Sequence, residues 1–180
     1  MSITAPLPDI ATRPSGRALF LGAMSQACRP RQRLTVSQWA DAHRVLSSKG
    51  SGEPGQWKTS RTPYLREVMD CLSSSSPVER VVVIKAAQLG FTSAALNWIG
   101  YIMDHSPGPI LMVVPSEKLL EELVAQDLNP LLRETPALAS LVSDLPRTAA
   151  NRKDLREFPG GLLMMMGANS ADNYRQKKVK

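Results

Sequence analysis

The chain has 180 residues, 43% of them hydrophobic, which suits one folded domain with or without a tail. No apolar run reaches the roughly 18 residues that a membrane span requires. Four prolines interrupt the first 33 residues, so we expect no signal peptide and a cytoplasmic protein. The formal net charge of +6 favours a polyanionic partner, while the aromatic content of 5% argues against a base-stacking single-strand binder. The two cysteines, Cys28 and Cys71, form no metal motif.

Residues 1–34 predict a basic N-terminal arm. A helical pattern over residues 15–28 is followed by Arg29, Arg31 and Arg33. The arm is interpreted either as a solvated tail or as a docking segment that folds on a partner. The pattern from Val36 to Leu46 then predicts a second helix, capped by Thr35 or Ser37.

The next segments predict alternating helices and strands. Residues 47–56 are rich in Gly and Ser and predict a loop, and a helix begins near Thr62 and Pro63. That helix directs Tyr64, Leu65, Val68, Met69 and Leu72 to the core. The β-branched run at residues 81–84 predicts a strand buried on both faces, as in a parallel sheet.

The remaining pattern continues the alternation. It predicts a helix over residues 92–103 with Ala95, Leu96, Ile99 and Met103 inward, and strands at 110–114 and 162–166. Helices are predicted over residues 118–132 and 136–141. Strands that alternate with helices indicate an α/β domain with a mainly parallel sheet.

Chemistry is concentrated between the first predicted strand and the helix that follows it. Phosphate groups bind at such a position because a helix N-terminus presents unpaired amides and a positive dipole end. The usual G-x-x-x-x-G-K-[ST] pattern is incomplete here, since Phe91 stands at its lysine position and Lys85 at its first glycine. Gly90 and Thr92 fit, and Lys85 has the reach to cross the loop. The alternative is a plain strand-to-helix turn with a capping Thr92.

Several segments together resemble the terminase large subunits of the phage lambda type, the GpA family. The similarity covers roughly residues 36–180 and includes the displaced-lysine loop. Its other parts are segments 37–42, 56–59, 63–69, 114–116, 129–136 and 167–179, which keep the family's order.

The resemblance implies a RecA-like P-loop NTPase fold that binds ATP with Mg²⁺. Lys85 then binds phosphate, Gly90 allows close approach, and the hydroxyl of Thr92 contacts Mg²⁺. The implied ATP-binding residues are Lys85, Ala86, Ala87, Gln88, Leu89, Gly90, Phe91 and Thr92. Trp57 and Tyr64 are the nearest candidate adenine contacts, with a core role as the alternative for each.

Two loop positions depart from the family. Gln88 stands where many terminases have an arginine, and Ser93 where lambda-type loops have a second lysine. The loop therefore carries less positive charge than in those relatives. We expect weaker binding of the triphosphate, or an arginine from elsewhere that compensates.

The resemblance also implies a motor that drives double-stranded viral DNA into a procapsid in the host cell cytoplasm. Its implied partners are the terminase small subunit, held by the N-terminal arm, the portal of the procapsid, and further copies of the chain. The family's D-E motif and nuclease carboxylates would follow the segment at 173–179. We therefore expect a fragment without catalytic residues, which binds nucleotide weakly and does not turn it over.

Two other functions remain open from the sequence. The basic arm and the basic residues 175–180 suit a non-enzymatic module that binds nucleic acid or protein. The order of strand, displaced-lysine loop, helix and strand also suits another helicase-like P-loop ATPase.

Overall fold

The computed structural model describes residues 15–28, 32–48, 52–143 and 155–169. The chain divides into two compact units, Met1–Arg33 and Leu34–Lys180. In the first unit, helix α1 spans Gly16–Ala27 and confirms the helix predicted in the arm. Its larger apolar side chains, Leu19, Phe20, Leu21 and Met24, are all exposed. No helix within the described ranges is both long and apolar enough to cross a membrane.

The second unit combines helices with two small sheets. Its helices are α2 (Val36–His43), α3 (Tyr64–Cys71), α4 (Phe91–Asp104), α5 (Glu117–Leu123), α6 (Asn129–Glu134) and α7 (Pro136–Ser143), with a 3-10 turn at Thr59–Arg61 and a π-helical turn at Val124–Leu128. Its strands are β1 (Val45–Leu46), β2 (Gly55–Gln56), β3 (Ile110–Val114), β4 (Leu155–Phe158) and β5 (Gly161–Gly167).

Helix α2 is fixed at its start and tied to its neighbours by hydrogen bonds. Thr35 and Gln38 form a reciprocal capping box, which satisfies amides that a helix start leaves open. The Ser37 hydroxyl donates to Asp70 at 2.6 Å, which joins α2 to the end of α3. The indole of Trp39 donates to Asp104 at 2.8 Å, which joins α2 to the end of α4.

The helices enclose an apolar core into which α4 is set most deeply. Trp39, Leu65, Met69 and Tyr101 are almost completely buried within it. Gly100 lets the Trp39 ring lie directly against α4, since a Cβ at Gly100 would come within 2.9 Å of Cζ3 of that ring. This packing fixes α4, the helix that follows the loop at residues 85–90, in the core.

The larger sheet has the order β3-β5-β4. Strands β3 and β5 run parallel, with Ile110 opposite Leu163, and β4 pairs antiparallel with β5 through a hairpin. The predicted strands at 110–114 and 162–166 are therefore confirmed. With one parallel and one antiparallel pair, the sheet of the described residues is mixed rather than mainly parallel.

The strand predicted at residues 81–84 is wrong as a buried element. These residues belong to no strand, and Val82 and Ile84 are 80% and 100% exposed. A β-branched run forms a strand only when a neighbouring strand satisfies its backbone groups. Within the described residues, no strand pairs with it. The apolar run therefore predicted a strand that this segment does not form among the described residues.

Other differences are local. The helix predicted to reach Leu46 ends at His43, because the chain turns into β1, which pairs with β2 within the predicted loop. The helix predicted over residues 118–132 runs further and includes the π turn. Tyr64 and Ala95, predicted to face the core, are exposed. Strand β4 was not predicted, and the segment at 173–179 lies outside the described residues.

Candidate functional site

The predicted phosphate loop leads into an open helix start. Gly90 is the residue before α4 and adopts a left-handed conformation with φ 76° and ψ 8°. No side chain caps the first turn of this 14-residue helix. Its first amides and the positive end of its dipole are therefore available to an anion. This is the geometry that phosphate binding requires of the position.

The loop itself is exposed and tightly turned. Residues 85–89 are all exposed. Gln88 has φ 60°, the one positive φ among the non-glycine residues described. A left-handed residue followed two positions later by the left-handed Gly90 bends the chain sharply, and such turns direct amides towards an anion. The shape suits a phosphate cradle although Gln88 adds no charge.

Lys85 and Thr92 lie exposed on either side of this turn. Lys85 borders an apolar groove of about 280 Å³, together with Val81, Val83, Phe91 and Trp98. Its ammonium group can follow the groove outward or cross the loop. Thr92 belongs to the first turn of α4, where its hydroxyl is accessible. Nucleotide-bound Mg²⁺ is held largely by phosphates and water, so a single protein hydroxyl fits such a role.

Helix α3 supports the loop from one side. The hydroxyl of Tyr64 donates to the carbonyl oxygen of Leu89 at 3.2 Å. A Cβ placed on Gly90 would lie 3.3 Å from Cδ1 of Leu65. Tyr64 was a candidate adenine contact, and the structure places its hydroxyl against the loop backbone. With 53% exposure, its ring is no part of the core.

A second polar site lies beside the first turn of α4 and was missed by the sequence analysis. A cavity of about 140 Å³ is lined by Arg44, Leu46, Ser47, Trp57, Ser93, Gln126, Asp127, Pro130 and Leu131. Trp57, the other candidate adenine contact, therefore forms part of its wall. The indole nitrogen of Trp57 donates to the Thr59 hydroxyl at 3.0 Å. Ser93 is the next residue after Thr92, so the cavity adjoins the helix start.

Arg44 is the unusual member of this cavity. Its side chain is only 5% exposed, and among the described residues its Nε and Nη1 atoms have no hydrogen-bond partner. Burial lowers the pKa of Arg44 to about 10, against the opposing effect of the carboxylates of Asp127 and Glu134. Burial raises the pKa of Asp127, against the opposing effect of Arg44. A lone arginine at a helix end carries no sequence signal for such a position.

Comparison with known proteins gives the family. The family model described as phage terminase large subunit gpA, ATPase domain, matches residues 51–180. That range contains the loop, helix α4 and the larger sheet. The chain belongs to this family.

Two terminase large subunits are among the individual relatives. The terminase large subunit of Enterobacteria phage P21 is 30% identical over 148 residues, which are 81% of this chain and 23% of that protein. The terminase large subunit of Escherichia phage lambda is 27% identical over 150 residues, covering 81% and 22%. A protein named glutamate–tRNA ligase of Acinetobacter baylyi is 27% identical over 134 residues, covering 69% and 27%. No solved structure is significantly similar to the chain.

The chain spans less than a quarter of the length of the two terminase relatives. The match to the family model confirms, for the ATPase domain, the family resemblance predicted from the loop and its flanking segments.

Proposed function

We propose that residues 85–92 are the ATP-binding loop of a viral DNA-packaging motor. The observation that carries this proposal is the uncapped start of α4, preceded by the left-handed Gly90. The triphosphate accepts hydrogen bonds from the first amides of the helix, where the dipole also favours negative charge. The RecA-like P-loop fold, as a finer description of the domain, is part of the same proposal.

Lys85 and Thr92 have distinct roles in this loop. Lys85 neutralises the outer phosphates as a flexible point charge, which tolerates its displaced position in the chain. Thr92 contributes its hydroxyl to Mg²⁺ between the phosphates. The exposure of both side chains supports these roles, because neither is committed to the core. Ala86, Ala87, Gln88, Leu89 and Phe91 supply the backbone of the cradle.

The exposure pattern of residues 81–84 supports the same assignment. Val81 and Val83 border the groove beside α4, while Val82 and Ile84 turn outward, which is the alternation of a strand. In the assembled motor, a neighbouring strand pairs with this segment and fixes the position of Lys85. The loop is thereby coupled to the sheet on which an ATPase domain is built.

The wider activities follow the family and are part of the proposal. The motor drives double-stranded viral DNA into a procapsid through its portal, as one of several copies, and a nuclease activity accompanies it. Phosphoryl transfer needs carboxylates that hold Mg²⁺ and orient water. No residue of these 180 matches the family's D-E motif, so the chain by itself binds ATP without turning it over.

A binding measurement tests the loop. We expect the 180-residue chain to bind a fluorescent ATP analogue with Mg²⁺ at micromolar to millimolar concentration, and Lys85→Ala to weaken it at least tenfold. The matched control is Lys118→Ala, which removes an equally exposed lysine from α5 and should leave affinity unchanged. Equal affinities of the chain and Lys85→Ala would refute the loop. Steady hydrolysis that depends on Lys85 would refute the absence of turnover.

Helix α1 suggests where the terminase small subunit binds. Leu19 and Phe20 are 59% and 63% exposed, and an apolar helix surface of this kind is suited to a groove on a partner. Deletion of residues 1–34 should abolish capture of the small subunit while the circular dichroism of the remainder still indicates a folded domain. Retained capture would contradict this assignment.

A binding module without nucleotide chemistry and a helicase-like ATPase are the competing functions. The module predicts no ATP binding at all in the same titration. A helicase predicts unwinding of duplex DNA with a single-stranded end by the longer protein, whereas a terminase predicts transport of intact duplex.

A further inference from the structure

The Arg44 cavity contains a buried cation with two unsatisfied hydrogen-bond donors. Two guanidinium donors, Nε and Nη1, are buried without an acceptor among the described residues. A buried donor left unsatisfied is costly, and an uncompensated buried charge more so. The cavity, at about 140 Å³, has room for a ligand or for several ordered waters. A ligand with hydrogen-bond acceptors would satisfy these two donors of Arg44.

The position of the cavity limits what that ligand can be. Its wall includes Ser93, next to the Thr92 hydroxyl that is proposed to contact Mg²⁺. Thr92 and Ser93 share the first turn of α4, so a nucleotide whose phosphates lie at this turn is next to the cavity. The indole of Trp57 and the side chains of Leu46, Pro130 and Leu131 give apolar walls, as expected for a site that holds a flat ring.

The polar groups of the cavity determine which hydrogen-bonding edge a bound ring can present to them. Arg44 can only donate hydrogen bonds, and an ionised Asp127 can only accept them. Adenine carries ring nitrogens that accept and, beside them, an exocyclic amino group that donates. A 6-oxo purine has an acceptor where adenine has the amino group, and that acceptor would oppose the carboxylate of Asp127.

We infer that this cavity is the base pocket of the nucleotide site, with Arg44 donating to a ring nitrogen of adenine and Asp127 accepting from its amino group. The inference rests on the proposed function, since the phosphates must lie at α4. It assigns base recognition to Arg44 and Asp127 and leaves Trp57 as a wall of the pocket. Tyr64 then belongs to the support of the loop.

The test compares three Mg²⁺-bound ligands by calorimetry on the 180-residue chain: ATP, ITP and inorganic tripolyphosphate. ITP replaces the amino group of adenine with an oxygen, and tripolyphosphate has no base. We expect ATP to bind about tenfold to a hundredfold tighter than ITP, the usual effect of one hydrogen bond to a charged group. Asp127→Asn, whose amide also donates, should remove or reverse this preference. Glu122→Gln, an exposed carboxylate on α5, is the matched control and should preserve it.

Arg44→Gln should weaken ATP about tenfold and leave tripolyphosphate unchanged, whereas Lys85→Ala should weaken both. An unchanged preference in Asp127→Asn, tighter binding of ITP than ATP, or loss of tripolyphosphate binding in Arg44→Gln would each overturn the base pocket. Lys85-dependent tripolyphosphate binding would still support the loop in those cases. If neither ATP nor tripolyphosphate binds, the loop fails as well. Because Asp127→Asn conserves size, it keeps the test decisive if Arg44→Gln does not fold.

Discussion

Tyr64 joins helix α3 to the exposed loop at Leu89, because its hydroxyl donates a 3.2 Å hydrogen bond to the carbonyl oxygen of that leucine. The two residues are 25 positions apart. The bond therefore holds an exposed loop against α3, which is itself anchored in the core through Leu65 and Met69. Since Leu89 lies between Gln88 and Gly90, the hydrogen bond from Tyr64 also helps to hold these two left-handed residues in place.

The change Tyr64→Phe should loosen the loop without unfolding the domain. It removes one exposed hydrogen bond, whose net contribution is about 0.5–1.5 kcal/mol. We expect a roughly twofold to tenfold loss of ATP affinity and faster amide hydrogen exchange at residues 86–90. The thermal midpoint should remain nearly unchanged. Identical exchange in the two proteins would contradict a supporting role for the hydroxyl.

Gly90→Ala should destabilise the chain and impair binding. Alanine at φ 76° costs about 1–2 kcal/mol, and its Cβ would also press on Leu65 at 3.3 Å. Urea unfolding should report a loss of that size. Gly52→Ala is the control, because its Cβ meets nothing within 4 Å, and it should change stability by less than about 0.5 kcal/mol. Equal effects of the two substitutions would be evidence against the left-handed turn.

Gly100→Ala should disturb the packing of α2 on α4. The added methyl group would collide with the Trp39 ring, which is fully buried and cannot move without disrupting the core. Overpacking of this kind costs about 1–3 kcal/mol. Gly22→Ala in α1 meets no neighbour within 4 Å and should be neutral or favour the helix. Calorimetric melting of both variants measures the difference, and an undisturbed Gly100→Ala would contradict the contact.

Arg44→Met should stabilise the chain in the absence of nucleotide. The pKa of Arg44 falls from 12.5 to about 10. Since each pKa unit corresponds to about 1.4 kcal/mol, burial of the cation costs the fold on the order of 3 kcal/mol. An apolar side chain of similar size should raise the free energy of unfolding by about 1–3 kcal/mol. Arg66→Met, at an exposed position of α3, should have no effect. A loss of stability in Arg44→Met would identify the guanidinium as a structural requirement.

The acid side of the stability profile should depend on Asp127. Its pKa is raised by burial, so the folded chain keeps this proton to higher pH than the unfolded chain does. The protonated carboxyl therefore stabilises the fold fully below the ordinary value of 3.8, and this contribution is lost as the pH rises through the folded value. Relative to Asp127→Asn, the unaltered chain should lose stability over the pH range that begins at the ordinary value of 3.8. Urea unfolding across that range measures the effect, and parallel profiles would contradict it.

The sequence predicted those elements whose own apolar pattern is regular or unbroken. Helices α3, α4 and α7 have regular apolar patterns and local start signals, and strands β3 and β5 have unbroken apolar runs. Residues 81–84 have the same kind of run, yet they lie exposed. An apolar pattern shows which side chains of a segment could be buried. Whether they are buried depends on another strand or helix packing against the segment, which the pattern itself does not show.

The residues of the candidate site also fall into those that the sequence predicted and those that it did not. The proposed loop at residues 85–92 was predicted from local order, since a strand-like run, a glycine and a hydroxyl before a helix follow one another in the sequence. Arg44 and Asp127 are 83 positions apart, and only the packing of β1 against α6 and the π turn brings them into one cavity. Such a pair has no signature in a single sequence.

Strand β3 meets its parallel neighbour across a long stretch of chain, with Ile110 opposite Leu163. Parallel strands cannot be joined by a tight turn. During synthesis, about fifty further residues must therefore be added after β3 before its partner β5 is available. At synthesis rates of about 5–20 residues per second, that interval lasts roughly 3–10 s. During it the emerging chain exposes two unpaired β-branched runs, at residues 81–84 and 110–114. Protein yield should therefore respond to translation speed and chaperone supply more than the stability of the finished fold would suggest.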